Sequence, residues 1–318
     1  MKDRKHSVYV NVFFLLLLFT GCTGEPTEES FSSAVTSQAV DEYIDATQTK
    51  SQSVTKQAET SIASTSTPTP DNRLKPEDWQ EWPIIPEVTE TAKEIYLKGL
   101  AMGNDSRAFS KVGDCQNVKQ TFLGFFDSPD GSDGGYNLRK DTYLQETTDQ
   151  FSGYFNRDGE ATRYGFNAAA VLSPMWTDLD ICLPDETPLE CELRITRPTF
   201  VLISLEFPFL ERTPEIYERY IRQIIEYIIS QGAVPILATK ADNVEGDNSI
   251  NLTTAKLAYE YDLPLWNFWA KMAEFPDHGI DQHRDNMAFH IFISHWNTRS
   301  FSFLRVLDHL WRELSKLG

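Results

Sequence analysis

Cys115 follows a Gly113-Asp114 pair at the end of what reads as a short buried strand, Phe109-Ser110-Lys111-Val112. Such a pair lets the backbone turn tightly and present the next side chain at the carboxyl edge of a sheet, where open α/β proteins place ligands and reactive groups. A thiol in that position is a candidate nucleophile. Far downstream, residues 277–290 carry His278, His283 and His290 together with Asp277, Asp281 and Asp285. A nucleophile early and an Asp/His pair late is one chain order in which a hydrolytic triad is built. The imidazole would take the nucleophile's proton, a carboxylate would fix its tautomer, and backbone amides would receive the oxyanion. The segment Gly165-Phe166-Asn167 is the third set that a sheet edge would collect. The competing reading is an inert thiol in a tight turn, since free cysteine is commonly buried and only the thiolate attacks. On the same reasoning His278 and His283 read as solvated loop residues, and Trp266, Phe268 and Trp269 as core rather than a sugar platform.

Positioning these residues requires a folded domain, and the chain has room for one. Its 318 residues are 41% hydrophobic, 12% aromatic and 24% charged. The formal net charge of -18 argues against nucleic acid and against docking on anionic lipid, which both need clustered Lys and Arg. Lys2, Arg4 and Lys5 precede an apolar run from Val8 to Phe19 that ends in Thr20-Gly21-Cys22. That order of basic, apolar and small residues describes an export signal over residues 1–21. A cysteine immediately after the cut site resembles a bacterial lipobox, in which Cys22 carries the lipid and becomes the mature N-terminus. The expected location is the cell envelope, outside the cytoplasm and tethered to a membrane. Losing residues 1–21, with three basic and one acidic side chain, would take the net charge from -18 to -20.

Residues 22–75 are rich in Ser, Thr and Gln and carry alternating Thr and Pro at 67–70, a composition that cannot bury enough apolar area to order itself. They read as a tether, and residues 76–318 as the folded domain. With Cys22 assigned to lipid, Cys182 and Cys191 bracket a short loop and form a plausible disulfide in an oxidising compartment. Cys115 is then the odd thiol. No paired Cys or Cys/His spacing suggests a metal, and no cofactor is expected.

Within the domain, apolar spacing predicts a helix over 89–102 closed by Gly103. Thr199 to Leu205 is a continuous apolar, β-branched run, the mark of a strand buried on both faces of a parallel sheet. Thr213-Pro214-Glu215 starts a helix that Gly232 ends. Ala233 to Thr239 is the next strand, 251–261 a helix, 264–268 a short strand and 300–317 the last helix. Strands and helices alternating at this spacing imply a parallel sheet covered by helices, a three-layer α/β/α sandwich.

Val112-Gly113-Asp114-Cys115 resembles the first signature block of the SGNH (GDSL-type) hydrolases, with Cys in place of the nucleophilic Ser. Gly165, within Tyr-Gly-Phe-Asn-Ala-Ala, is similar to the second-block glycine that lends an oxyanion amide. Residues 217–243 resemble the family's helix followed by a Gly-Ala-x-Pro-Ile-Leu-x-Thr strand, and the Asp285 to His290 stretch resembles its last block. The resemblance spans roughly 109–317 and implies an ester hydrolase. In it Cys115 would be the nucleophile, His290 the base, Asp285 the orienting acid, and the Cys115 and Gly165 amides the oxyanion hole. The substrate would be an acyl or acetyl ester of a glycan or lipid. Two blocks depart from the pattern. Glu206-Phe207-Pro208 stands where Gly-x-Asn is usual, which removes an amide donor, and four residues instead of two separate Asp285 from His290. These departures keep open a second expectation, a catalytically impaired member of the fold that binds a glycan or lipid.

Overall fold

The computed structural model describes residues 71, 73–128, 136–205, 213–283 and 290–318. The export signal, Cys22 and nearly all of the expected tether lie outside them, as do Glu206-Phe207-Pro208 and Asp285. Asp71, Arg73 and Lys75, assigned from composition to the tether, already pack on the domain. Arg73 donates to the Tyr259 carbonyl and to Asp262 Oδ1, and Lys75 Nζ lies 2.6 Å from Tyr259 Oη.

Four parallel strands form the sheet: β1 (Asp105–Gly113), β2 (Pro198–Ser204), β3 (Val234–Ala238) and β4 (Leu265–Trp266), in that spatial order. Gly113 also pairs in parallel with Thr162. Its N–H donates to Ala161 O and its carbonyl accepts from Arg163 N, so the 161–163 segment runs along the side of β1 away from β2. The chain therefore leaves β1 to one side, then returns to the other for β2, β3 and β4. Such a reversal opens a crevice at the carboxyl ends of the strands flanking it, and Cys115 sits at that point.

Every residue of β2 and β3 is buried, as expected of strands covered on both faces. Helix α1 (Glu90–Met102) is capped by the Thr89 hydroxyl, which accepts from Ala92 N, and ends at Gly103 in the left-handed conformation. The short α2 (Gln145–Gln150) replaces the longer helix that the pattern from 143 to 153 suggests. Helix α4 (Pro214–Ser230) buries Tyr217, Ile221, Ile224, Ile225 and Ile228 along one stripe, and α5 (Ser249–Glu260) packs beside it. Helix α7 (Trp296–Leu314) begins four residues before the expected start. Its Phe303 joins Phe109, Phe122 and Trp266 in an aromatic core beneath the sheet, with ring centroids 5.3–6.4 Å apart.

Two further expectations change. The stretch between Cys182 and Cys191 is only partly loop, because α3 (Pro188–Thr196) starts within it and carries Cys191 in its first turn. Thr187 and Glu190 form a reciprocal capping box there, which fixes the helix start. The Cys182–Cys191 disulfide itself is present, with Cα atoms 5.4 Å apart. The strand expected over 264–268 stops at Trp266, because the Asn267 side chain caps α6 (Phe268–Met272) by accepting from Ala270 N.

Glu192 of α3 locks the 157–162 segment against β1. This fully buried carboxylate accepts from Ser110 Oγ (2.5 Å), from both Arg157 Nη atoms and from Glu160 N (2.9 Å). Burial pushes its pKa up, but the Arg157 guanidinium and these hydrogen bonds outweigh that and hold it below the usual carboxylate range.

Candidate active site

Asp114 turns the chain after β1. Its Oδ1 accepts from Gln116 N (3.0 Å), and its carbonyl accepts from Asn117 N (3.0 Å), an aspartate-nucleated turn. Gly113 is required by packing. A Cβ there would lie 2.3 Å from Asn117 Nδ2, the group that donates to the Ser204 carbonyl at the end of β2. The turn thus ties β1 to β2 across the crevice and leaves Cys115 half-buried at its mouth.

His290 is the one histidine of the 277–290 stretch placed against the thiol. Its Nε2 lies 3.2 Å from Cys115 Sγ, within hydrogen-bonding distance for sulfur, with the proton on either atom according to tautomer. Backbone pairing holds it there. Ile291 bridges Ile280 in antiparallel fashion, and Asp281 N donates to the His290 carbonyl (2.8 Å). His283 is exposed. His278 is not the solvated residue expected; it packs on Trp269 at a tilt of 38° with ring centroids 4.6 Å apart, and its Nδ1 is buried.

Gly165 lies three residues beyond the Gly113–Thr162 pair, in a turn closed by Phe166 N to Arg163 O (3.2 Å). Its φ of +79° is the value a type II turn demands at that position, which side chains disfavour. Nothing lies within 4 Å of a Cβ built there, so backbone conformation rather than crowding selects glycine.

Sequence reasoning passed over Arg299, although it lies on the stripe of Phe303, Val306 and Leu310. It is 1% exposed on α7, donating to Gln116 O (2.5 Å), Asn117 Oδ1 (3.0 Å) and Ser204 Oγ (2.9 Å). Its guanidinium lies 4.2 Å over the Phe122 ring. One planar fork thus braces both residues after Cys115 against the end of β2, which a Lys ammonium cannot reproduce. With Cys115 as the nucleophile that the sequence leads us to expect, Arg299→Lys should lower kcat about 100-fold with KM nearly unchanged, the cost of displacing it by roughly an ångström. Steady-state kinetics on p-nitrophenyl acetate reads the split, and a kcat within twofold of wild type would remove the positioning role.

No family model matches the chain, and no curated protein does. Solved structures of similar fold include TesA, at 12% identity over 64% of this chain and 99% of that one, with a TM-score of 0.42. A lipase/acylhydrolase from Enterococcus faecalis is 15% identical over 62% of this chain and 93% of its own, with a TM-score of 0.38. A GDSL-like lipase from Bacteroides thetaiotaomicron is 12% identical over 69% and 98%, with a TM-score of 0.40. These alignments span nearly the whole of each solved structure at low identity, and any assignment of chemistry rests on the geometry around Cys115.

Proposed function

We propose that this chain is an exported, lipid-anchored ester hydrolase of the SGNH type, acting on acyl or acetyl esters of glycans or lipids. The observation that carries the reading is the 3.2 Å approach of His290 Nε2 to Cys115 Sγ at the topological switch point of the sheet. A buried structural thiol has no need of an imidazole at that distance, whereas a thiolate nucleophile does.

In the proposed reaction His290 Nε2 takes the thiol proton and Cys115 Sγ attacks the ester carbonyl carbon. The carbonyl π electrons move to oxygen, and the Cys115 and Gly165 amides receive that charge. When the tetrahedral intermediate collapses, the C–O bond to the alcohol breaks and the His290 imidazolium protonates the departing alkoxide. The acyl group is left as a thioester on Cys115. His290 then deprotonates a water that attacks the thioester, releasing the carboxylic acid and restoring the thiol. Asp285 serves as the carboxylate that orients His290. Cys22 carries the anchoring lipid, and residues 23–70 let the domain stand off the membrane.

Intact-mass spectrometry of the full-length protein quenched during p-nitrophenyl acetate turnover tests the covalent step. An acetyl adduct mapping to the peptide that contains Cys115, and discharged by hydroxylamine, is expected. Turnover with an acyl group captured on another residue would sink the mechanism.

A further inference from the structure

A second feature of the carboxyl edge lies outside the Cys115–His290 pair. A cavity of about 340 Å³ opens where the chain leaves β3, walled by Asp242, Asn248, Trp269, His278, Ile280 and Gln282. Its floor is braced. Asn251 clamps the Lys240 backbone from both sides, Oδ1 accepting from Lys240 N and Nδ2 donating to Lys240 O. Lys240 Nζ in turn donates to Asp242 Oδ1 (2.5 Å) and Glu245 Oε2 (2.6 Å).

Three residues of the wall carry side-chain polar atoms that are buried yet have no hydrogen-bond partner among the described residues: Asp242 Oδ2, Asn248 Oδ1 and His278 Nδ1. Asp242 as a whole is 3% exposed. A buried polar atom left unpaired costs about 1–3 kcal/mol, so three around one cavity are a standing demand for hydrogen-bonding groups. Asn248 and His278 also sit at positive φ, +55° and +51°, conformations that cost energy away from glycine.

The lining discriminates among guests. Asp242 and Asp277 disfavour an anion, and a purely apolar acyl chain would leave the unpaired polar atoms of this mixed wall unmet. A metal ion fits poorly, because the Lys240 ammonium already satisfies one oxygen of Asp242. Among the described residues, the single cluster of three His, Cys, Asp or Glu donors close enough to hold an ion is at the Cys182–Cys191 disulfide. What remains is a neutral molecule with several hydroxyls and one apolar face. Its hydroxyls would meet the carboxylate, amide and imidazole after a small turn of those side chains, whose unpaired atoms are closed to water as they stand, and its apolar face would lie on the part of the half-buried Trp269 ring that His278 and Trp79 leave open.

We propose that this cavity binds one sugar ring. It also lies next to the reaction centre. Ile280, in its wall, bridges Ile291, the residue after His290, and paired strands run about 5 Å apart. The ring is therefore the alcohol side, or a neighbouring unit, of a glycan ester whose carbonyl reaches Cys115. This last point rests on the hydrolase reading; the binding of the sugar does not.

The test titrates the full-length protein with methyl β-D-glucopyranoside, methyl β-D-xylopyranoside and methyl N-acetyl-β-D-glucosaminide, followed by tryptophan fluorescence and saturation-transfer NMR. At least one should bind saturably with Kd in the range of about 1–10 mM, ordinary for a single small ring. Asn248→Gly keeps the left-handed backbone while deleting the amide, and should weaken binding about tenfold, the worth of one hydrogen bond. Trp269→Ala should do at least as much, and Asn248→Asp, which restores an acceptor, should recover most of the loss. No saturable binding by any of the three, or binding indifferent to both Asn248→Gly and Trp269→Ala, overturns the proposal. Turnover of p-nitrophenyl acetate without sugar binding removes the sugar site and leaves the hydrolase. Sugar binding without turnover, unchanged in Cys115→Ala, does the reverse.

Discussion

Cys115→Ala should bring p-nitrophenyl acetate turnover down to the background rate, a loss of at least about 1000-fold, with His290→Ala close behind. The two losses should not add. A nucleophile and the base that activates it act as one unit, so the double variant should be no slower than the worse single one. The 3.2 Å Sγ–Nε2 distance is the reason for expecting both effects. Cys115→Ser is the discriminating third variant. A serine hydroxyl in the same turn keeps the geometry but is a far weaker acid than a thiol, so it depends wholly on His290 for activation. Residual turnover in Cys115→Ser that vanishes in Cys115→Ser/His290→Ala would place the base directly. Turnover indifferent to Cys115→Ala and His290→Ala would eliminate the mechanism. Saturable ligand binding with no turnover in the wild type would instead favour the non-catalytic descendant that the altered Glu206-Phe207-Pro208 stretch leaves open.

What could be read along the chain follows a physical divide. Strands β2 and β3 are buried on both faces, so their sequences are unbroken apolar runs that can mean little else. The start of α4 at Thr213-Pro214 and the end of α1 at Gly103 are backbone signals that survive any tertiary context. The Cys115 turn was legible for the same reason, since Gly113-Asp114 states its own geometry. Two local signals were present and outweighed. Thr187-x-x-Glu190 is a capping box, but the two prolines around it suggested a loop, and Asn267 is a helix cap that an apolar run concealed. The remaining features have no local signature. Arg299 shares a helical stripe with Phe303, Val306 and Leu310, but its charge and its place just before the expected helix start pointed to solvent, and it becomes buried because Phe122, Trp266 and three acceptors from distant segments converge on it. Glu192 finds Arg157 from 35 residues away. Trp269 and His278 looked like core and loop because the cavity that both line belongs to no single stretch of chain.

The same divide explains Lys111, which is polar by type but sits in a strand that burial governs. Its side chain is 3% exposed, and its Nζ has no hydrogen-bond partner among the described residues. Phe122 supplies the nearest aromatic face, 6.0 Å away. Burial, with the Arg157 and Arg299 charges adding to it, lowers the Lys111 pKa from 10.5 to about 7 despite opposing pulls from Asp158 and Glu192. The sign of the linkage follows. The unfolded chain holds this proton up to about pH 10.5, while the folded one releases it near pH 7, so in between the unfolded state binds more protons and Lys111 destabilises the fold. The penalty is full below about pH 7, still roughly 4 kcal/mol at pH 7, and below about 1 kcal/mol by pH 10. Lys111→Met, similar in length and apolar, should therefore stabilise the domain at neutral pH. The gain should shrink by about 3 kcal/mol when urea unfolding of both proteins is repeated at pH 10, a large fraction of the stability of an ordinary domain. A gain of the same size at both pH values would mean that Met packs better without relieving a buried charge. No gain at pH 7 would mean that the ammonium reaches water or a partner in solution. A strand that carries such a penalty directly before the Gly113-Asp114-Cys115 turn is held in place by its neighbours, chiefly the Glu192 and Arg299 networks, rather than by its own preference.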